Sequence, residues 1–578
     1  RDGDLVALDL GDGRRVPISA GRLRPLLALV EDSLIDTPSP ATGKMPDSAP
    51  TTAAMNLALA RLPLMREHAR QSDAEDVDWV DSASLEQLAT ILGDAEPVPE
   101  VAVPAALQTR LRPYQRLGLS WLSFLGSHGL GGVLADDMGL GKTVQLLAHV
   151  LAEREAGRID GPVLVVAPKS VLPNWRQEIQ RFAPSLRVVA IDGPQRKRLF
   201  ASAAREADLL LTTYPLLSRD LAWWRQLPLD LAVFDESQLV KNPATQAAKA
   251  ARALPAKRRL ALTGTPLENH LGELWAQFDL VLPGLLGPRR RFDKGLRQAI
   301  EKQADEAARD LLRQRIAPFL LRRTKDQVIA DLPPKTVVTR AIELEGRQHE
   351  LYQNRAERLA EELSRLANDG NWPRQRMRIL EGLLRLRQIC CDPRLLGSDE
   401  SGHSRPSAKL EYLLTMLGEL CAEGRRILVF SQFATMLGLI AESLTKLKLP
   451  YLLLTGETED RETPVRRFQA REVPIFLISL RAGGFGLNLT AADTVVHYDP
   501  WWNPAVEAQA TDRAHRIGQD KPVFVYRLIA SQTIEERIVA LQERKRELAD
   551  ALFDAQGQSM ADLAVEDLLH LIQGESGT

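Results

Sequence analysis

Cysteine is scarce: Cys390, Cys391 and Cys421 are the only three in 578 residues. They offer no pair at a metal-ligand spacing and no disulfide framework, so a zinc-clasped or disulfide-stapled fold is excluded and a reducing compartment fits. Net charge is scarce too. The formal value is -2, so any nucleic-acid surface must be a local concentration of Lys and Arg. Long apolar runs are missing: none approaches the roughly 20 residues a bilayer span needs. No membrane partner is expected, and no signal peptide opens the chain. What is present, 44% hydrophobic and 26% charged residues, fits a soluble globular protein of several domains. The chain begins at Arg1 rather than Met. It is expected to be the C-terminal part of a longer protein, or an excised piece of one.

Two stretches alternate apolar strands with amphipathic helices. In the first, Val133–Ala135, Val163–Ala167, Leu209–Leu211, Leu231–Phe234 and Leu260–Leu262 read as strands. In the second they are Ile427–Phe430, Leu452–Leu454, Ile475–Ile478, Val495–His497 and Val523–Val525. Continuous apolar strands between helices imply parallel sheets covered on both faces. The expected order is an N-terminal extension and linker over 1–103 and a first lobe over 104–335, with a helical insert near 283–318. A helical protrusion and inter-lobe linker follow over 336–407. A second lobe ends in a brace helix over 408–550, and a tail covers 551–578. The region 283–407 reads as mainly helical and Arg-rich. Within 1–103, Leu5–Leu8 and Val16–Ile18 are strand-like, and Thr37–Thr52 is rich in Pro, Ser and Thr.

Asp136-Asp137-Met138-Gly139-Leu140-Gly141-Lys142-Thr143 follows a strand and opens a helix, the context of a phosphate-binding loop. Glycines let the backbone approach phosphate oxygens, and the helix presents its positive end. Lys142 would reach the β- and γ-phosphates and Thr143 would hold Mg²⁺. Asp136 stands where the strict pattern has glycine. Asp235-Glu236 ends a buried strand. There the first carboxylate can hold Mg²⁺ and the second can orient the attacking water; two adjacent acids also suit a solvated turn. Thr263-Gly264-Thr265-Pro266 is either a phosphate sensor or a plain turn. Arg513 and Arg516 read as one face of a helix at i, i+3, matched to the charge of a phosphoryl transition state or simply a surface pair. Trp501-Trp502 reads as core packing in preference to a base-stacking platform. The run Arg374, Arg376, Arg378, Arg385 and Arg387 reads first as a solvated face.

These blocks, with Leu111-Arg112-Pro113-Tyr114-Gln115, Val166–Trp175, Thr212-Thr213-Tyr214, Lys241-Asn242, Ser479–Thr490 and Asp512–Gln519, resemble the Swi/Snf-type ATPases of helicase superfamily two. The resemblance covers about residues 107–550 and leans towards a bacterial member. It implies an α/β fold of two RecA-like parallel-sheet lobes with helical insertions and a C-terminal bracing helix. It implies ATP and Mg²⁺ as cofactors and a monomeric, DNA-dependent translocase on double-stranded DNA that remodels protein–DNA complexes. The nucleotide would be held by Gln115, Asp137, Met138, Gly139, Leu140, Gly141, Lys142, Thr143, Gly486, Arg513 and Arg516. Metal would be held by Thr143 and Asp235, with Lys142, Asp235, Glu236, Arg513 and Arg516 catalytic. DNA contacts would fall on Lys169, Ser170, Thr213, Ser431, Gln432, Gly483, Gly484 and Asn488. Phosphate contacts carry no sequence information, which suits such a motor. The family's acidic box, here Asp-Glu-Ser-Gln, often ends in His where this chain has Gln238. The family variant with an acid in place of the first Walker glycine accounts for Asp136. The expected place is the bacterial cytoplasm near the nucleoid, or the nucleus in a eukaryote. Two rival readings stand beside this one: a recycling ATPase bound to RNA polymerase or another DNA-bound protein, and a catalytically silent nucleic-acid scaffold.

Overall fold

The computed structural model describes residues 5–9, 15–19, 98–267, 270–328, 333–369, 372–397, 407–480, 487–540 and 542–543. A two-stranded antiparallel hairpin comes first: β1 (Leu5–Asp9) and β2 (Arg15–Ser19), with Ala7 opposite Pro17. The rest of the fold rests on two parallel sheets, one in each of two compact units. The first unit is Arg1–Asp136, Lys142–Pro266 and Leu271–Arg322; the second is Asp137–Gly141, Leu267–His270 and Arg323–Thr578.

The sheet of the first unit is built from β3 (Gly132–Leu134), β4 (Val163–Ala167), β5 (Val188–Ala190), β6 (Leu209–Thr213), β7 (Leu229–Asp235), β8 (Ala256–Leu262) and β9 (Leu320–Leu321). They lie in the order β5-β6-β4-β7-β8-β3-β9, all parallel. Central strands β4, β6 and β7 are buried at every position. That is why they read as unbroken apolar runs with no alternation. The helices supply the cover. In Leu172–Phe182 only Leu172, Trp175 and Ile179 are buried, a single stripe facing the sheet.

The second unit repeats the plan with β10 (Lys335–Ile342), β11 (Ile427–Ser431), β12 (Tyr451–Leu454), β13 (Ile475–Ser479), β14 (Thr494–His497) and β15 (Val523–Ala530). The order is β10-β15-β14-β11-β13-β12, again parallel. Alternate residues feed two cores: Ile427 and Val429 join one cluster, Leu428 and Phe430 the other. All ten expected strands are present. The strand β10 departs from the mainly helical reading of 283–407. Its sequence, Lys-Thr-Val-Val-Thr-Arg-Ala-Ile, sits at a sheet edge with six of eight residues exposed. It therefore needs no apolar run, and its pairing with β15 over eight residues is a tertiary decision.

After β10, helices Gly346–Asp369 and Trp372–Cys391 pack against one another and against Ile534 and Ile538 in one apolar cluster. Residues 534–540 are helical; Leu541 and Leu548 of the expected brace helix fall outside the described residues. Arg387 is not part of a solvated face. It is buried, donates to the Pro500 carbonyl, and lies over the rings of Trp501 and Trp502 at 5.9 and 5.2 Å. The tryptophan pair is thereby tied into the packing. Among the described residues no helix is long and apolar enough to cross a membrane.

Candidate functional site

In the first unit the chemistry-bearing residues gather at the C-terminal ends of β3, β7 and β8, adjacent strands of one sheet. Parallel α/β sheets bind ligands at such strand ends. The loop after β3 is anchored on each side. Ala135 donates its N–H to the Leu321 carbonyl at 2.7 Å, and Thr263 donates to Leu134 at 3.1 Å. Gly139 and Gly141 adopt φ +88° and +76°, a region glycine enters without steric cost. The helix Lys142–Glu155 then begins, so Lys142 and Thr143 occupy its first turn. The Lys142 ammonium donates to the Asp136 carbonyl. Asp136 itself is fully buried and its Oδ2 accepts from Gln145 Nε2 at 3.1 Å. An acid thus stands in place of the expected glycine because a side chain one helical turn into the following helix receives it. Gln115 is buried in the helix Pro113–Ser127, and its carbonyl oxygen accepts the Arg112 N–H at 2.9 Å, which fixes the orientation of the amide.

Asp235 closes β7. Its carboxylate Oδ1 accepts the Glu236 N–H at 2.9 Å and Oδ2 accepts the Trp175 indole N–H at 2.8 Å. Burial, followed by the Glu236 carboxylate, pushes its pKa up to about 7, while the Trp175 bond and the Lys142 charge oppose the rise. A buried pair of hard oxygen donors that is short of positive charge, beside a hydroxyl in the first helical turn, fits a Mg²⁺ ion. Asp235 and Thr143 are the residues that would hold it. Glu236 has φ +50°, an unfavourable left-handed conformation for a side-chain-bearing residue. Such strain persists where surrounding bonds over-determine it. Here Gln238 Nε2 donates to Glu236 Oε2 at 2.7 Å, Thr263 Oγ1 donates to Gln238 Oε1 at 3.0 Å, and the Thr265 N–H donates to Thr263 Oγ1 at 3.0 Å. The Thr-Gly-Thr-Pro segment after β8 is therefore linked through Gln238 to Glu236. The motif left open what Gln238 does where the family often has His; its hydrogen-bonding on both sides of the amide, to Glu236 and Thr263, supplies a role. Lys241 pairs with buried Glu273 at 3.0 Å.

The residues expected to face nucleic acid are placed unequally. Lys169 is exposed and Ser170 half-buried just past β4; Thr213 is buried at the end of β6, in register with Ala167 of β4. These three share one sheet edge. In the second unit Ser431 is fully buried and its hydroxyl donates to Asp499 at 2.6 Å. Its side chain is committed inward and the residue is closed to solvent. The Gln432 N–H also reaches Asp499, at 3.3 and 3.4 Å. Asn488 is exposed. Gly483, Gly484 and Gly486 lie outside the described residues.

Arg513 and Arg516 do not lie on a helix as expected. The helix Pro504–Thr511 ends before them; Arg513 sits in a turn and Arg516 in a bend. The N–H groups of Arg513 and Ala514 reach back only three residues, to the carbonyls of Ala510 at 3.3 Å and Thr511 at 3.0 Å, so the chain leaves the helical path there, and side chains satisfy carbonyls beyond it. Gln519 Nε2 donates to the carbonyls of Ala514 at 3.0 Å and Ala492 at 2.7 Å, and Lys325 Nζ donates to the carbonyl of His515. Lys325, which no motif singles out, is buried and also pairs with Asp512 at 2.6 Å. Burial lowers its pKa despite Asp512. It braces the segment carrying both arginines.

The chain is similar to several known proteins. Residues 114–395 match the SNF2-related domain and residues 408–518 the helicase conserved C-terminal domain. A putative ATP-dependent helicase/translocase of Bacillus subtilis is 39% identical over 530 residues, 88% of this chain and 57% of that protein. An uncharacterized ATP-dependent helicase of Mycoplasma genitalium is 36% identical over 466 residues, 80% of this chain and 44% of that one. The chain thus spans about half the length of these relatives. The Sulfolobus solfataricus SWI2/SNF2 ATPase core, solved in complex with dsDNA, shares 35% identity over 82% of this chain and 99% of that chain, with a TM-score of 0.41.

Proposed function

Because the chain belongs to the SNF2-type family of helicase-like ATPases, we propose that it hydrolyses ATP in response to double-stranded DNA and converts hydrolysis into translocation along the duplex. The carrying observation is the bonded series Thr263–Gln238–Glu236 beside Asp235 and Lys142 at one sheet end. It is a hydrolytic arrangement: one cation for phosphate, one acid for metal, one acid for water. Lys142 binds the β- and γ-phosphates. Thr143 and Asp235 would hold Mg²⁺, which would supply positive charge against the phosphates. Glu236, its Oε2 fixed by Gln238, orients the attacking water and accepts its proton. Lys169, Ser170 and Thr213 hold the DNA backbone through contacts that read no bases, as a motor on arbitrary sequence requires.

Remodelling of DNA-bound proteins follows if translocation displaces what lies ahead. The test is ATP turnover with no nucleic acid, duplex DNA, single-stranded DNA and RNA in parallel. Stimulation by the duplex above the other two supports the reading, and a steep loss of binding with salt supports backbone tracking. Equal turnover in all four conditions refutes it.

A further inference from the structure

Two buried aromatic donors converge on Asp235 from the segments expected to touch DNA. Trp175 is fully buried in the helix that follows Lys169 and Ser170, and its indole N–H reaches Asp235 Oδ2 at 2.8 Å. Tyr214 directly follows Thr213, and its hydroxyl donates to the Asp235 main-chain carbonyl at 2.7 Å. The strand order places β6 and β7 on the two sides of β4. Tyr214 therefore reaches past one whole strand to find this carbonyl, while Trp175 spans from β4's own connection to β7. Buried indole and phenol groups need some acceptor. Here both use the same residue, and it is the acid that would hold the metal.

Each donor is tied covalently to a position expected to touch DNA: Trp175 lies five residues after Ser170, and Tyr214 is adjacent to Thr213. The intervening chain is stiff. Val171 donates its N–H to Pro168 at 2.9 Å and Trp175 donates to Val171 at 3.0 Å. A shift of the Lys169–Ser170 segment is carried to the indole with little slack. Because Asp235 Oδ1 is held by the Glu236 N–H, the indole bond sets the remaining freedom of the carboxylate.

We infer that Trp175 and Tyr214 are positioning residues that transmit duplex DNA occupancy at Lys169, Ser170 and Thr213 to Asp235, so that DNA activates hydrolysis from within the first unit. The inference rests on the DNA-dependent ATPase reading above. It implies reciprocity: if DNA alters nucleotide affinity through these bonds, nucleotide alters DNA affinity by the same factor.

The experiment uses the full 578-residue chain with Trp175→Phe, Tyr214→Phe and the double variant. Each substitution keeps a ring and removes one donor. Three quantities are read: turnover without DNA and at saturating duplex, duplex affinity, and the affinity of a fluorescent non-hydrolysable ATP analogue with and without duplex. The expected result is a fall of about ten-fold in the stimulation ratio, the scale of an ordinary coupling energy. DNA-free turnover falls by less than DNA-saturated turnover, duplex affinity without nucleotide stays within about two-fold, and analogue affinity loses its dependence on DNA. The double variant loses less than the product of the two singles, since both act on one residue. Tyr214→Phe, which deletes a single oxygen, carries the test if Trp175→Phe does not fold. An unchanged stimulation ratio in the folded variants overturns the inference. So does an equal fall in DNA-free and DNA-saturated turnover, which marks ordinary structural support. If the wild-type chain is not stimulated by duplex at all, the underlying DNA-dependent reading fails first and visibly.

Discussion

The ion pair between Lys409 and Glu535 joins the core of the second unit to its C-terminal segment. Both side chains have 0% exposure, and the ammonium sits 2.8 and 3.1 Å from the two carboxylate oxygens. Glu535 also accepts the Ala530 N–H at 2.8 Å, and Lys409 lies 5.1 Å from the Tyr498 ring centroid. Burial by itself lowers the lysine pKa, but the Glu535 carboxylate more than offsets it and the net direction is up. Glu535→Leu therefore strands an ammonium in a closed, largely apolar site. Removing one partner of such a pair costs about 3–5 kcal/mol. For a unit of this size that corresponds to a fall of roughly 6–20 °C in the melting midpoint. The double change Lys409→Met with Glu535→Leu replaces the pair by apolar groups. It is expected to recover most of the loss, because the desolvation cost of both charges vanishes with their attraction. The assay is thermal unfolding of the wild type, both single variants and the double. A single variant that melts within about 1 °C of wild type, or a double variant worse than the sum of the singles, refutes the reasoning.

Other outcomes are as definite. Glu236→Gln should leave binding of an ATP analogue intact and reduce turnover by about 10²–10⁴, the usual contribution of a positioned acid or base; wild-type turnover removes Glu236 as the group that orients water. Lys142→Ala should abolish nucleotide-phosphate binding, read directly by analogue titration. Arg516→Ala, chosen on its place in the motif, should keep ATP affinity and lose most DNA-stimulated turnover, since its role belongs to the transition state; normal hydrolysis rejects that assignment. The buried imidazoles of His149 and His497 are lowered from 6.5 to about 3 and about 4 by burial. Both are neutral in the fold and take up protons on unfolding at low pH. Their contribution is complete above the unfolded value near 6.5 and is lost as pH falls towards 4, by about 1.4 kcal/mol per group per pH unit. Melting midpoints measured from pH 7 to pH 4.5 should drop accordingly, and a flat profile across that window contradicts the burial of these rings.

The limits of reading from sequence show at particular residues. The strand β11 was legible because a strand buried on both faces must be apolar throughout. The strand β10 was not, because an exposed edge strand needs only a partner. Arg387 looked like one of a row of solvated arginines; only packing reveals that the Pro500 carbonyl and two indole rings enclose it. Arg513 and Arg516 were legible as a motif but not as non-helical residues, because Lys325, which holds the segment at Asp512, lies 187 residues away in the chain. Gln238 was legible as the last residue of the acidic box, but its bond to Thr263 follows from strand β8 lying beside β7.

Sequence by itself determined the phosphate loop, the paired acids and the two parallel sheets. Each is written in short-range order: glycine conformation, charge at a strand end, and apolar runs long enough to bury. The tertiary structure alone decided which groups hold those residues in place. Trp175 and Tyr214 on Asp235, Thr263 on Gln238, and Glu535 on Lys409 are joined across 21 to 126 residues. Hydrogen bonds over such separations depend on how strands are ordered in a sheet, and strand order leaves no local mark in a chain.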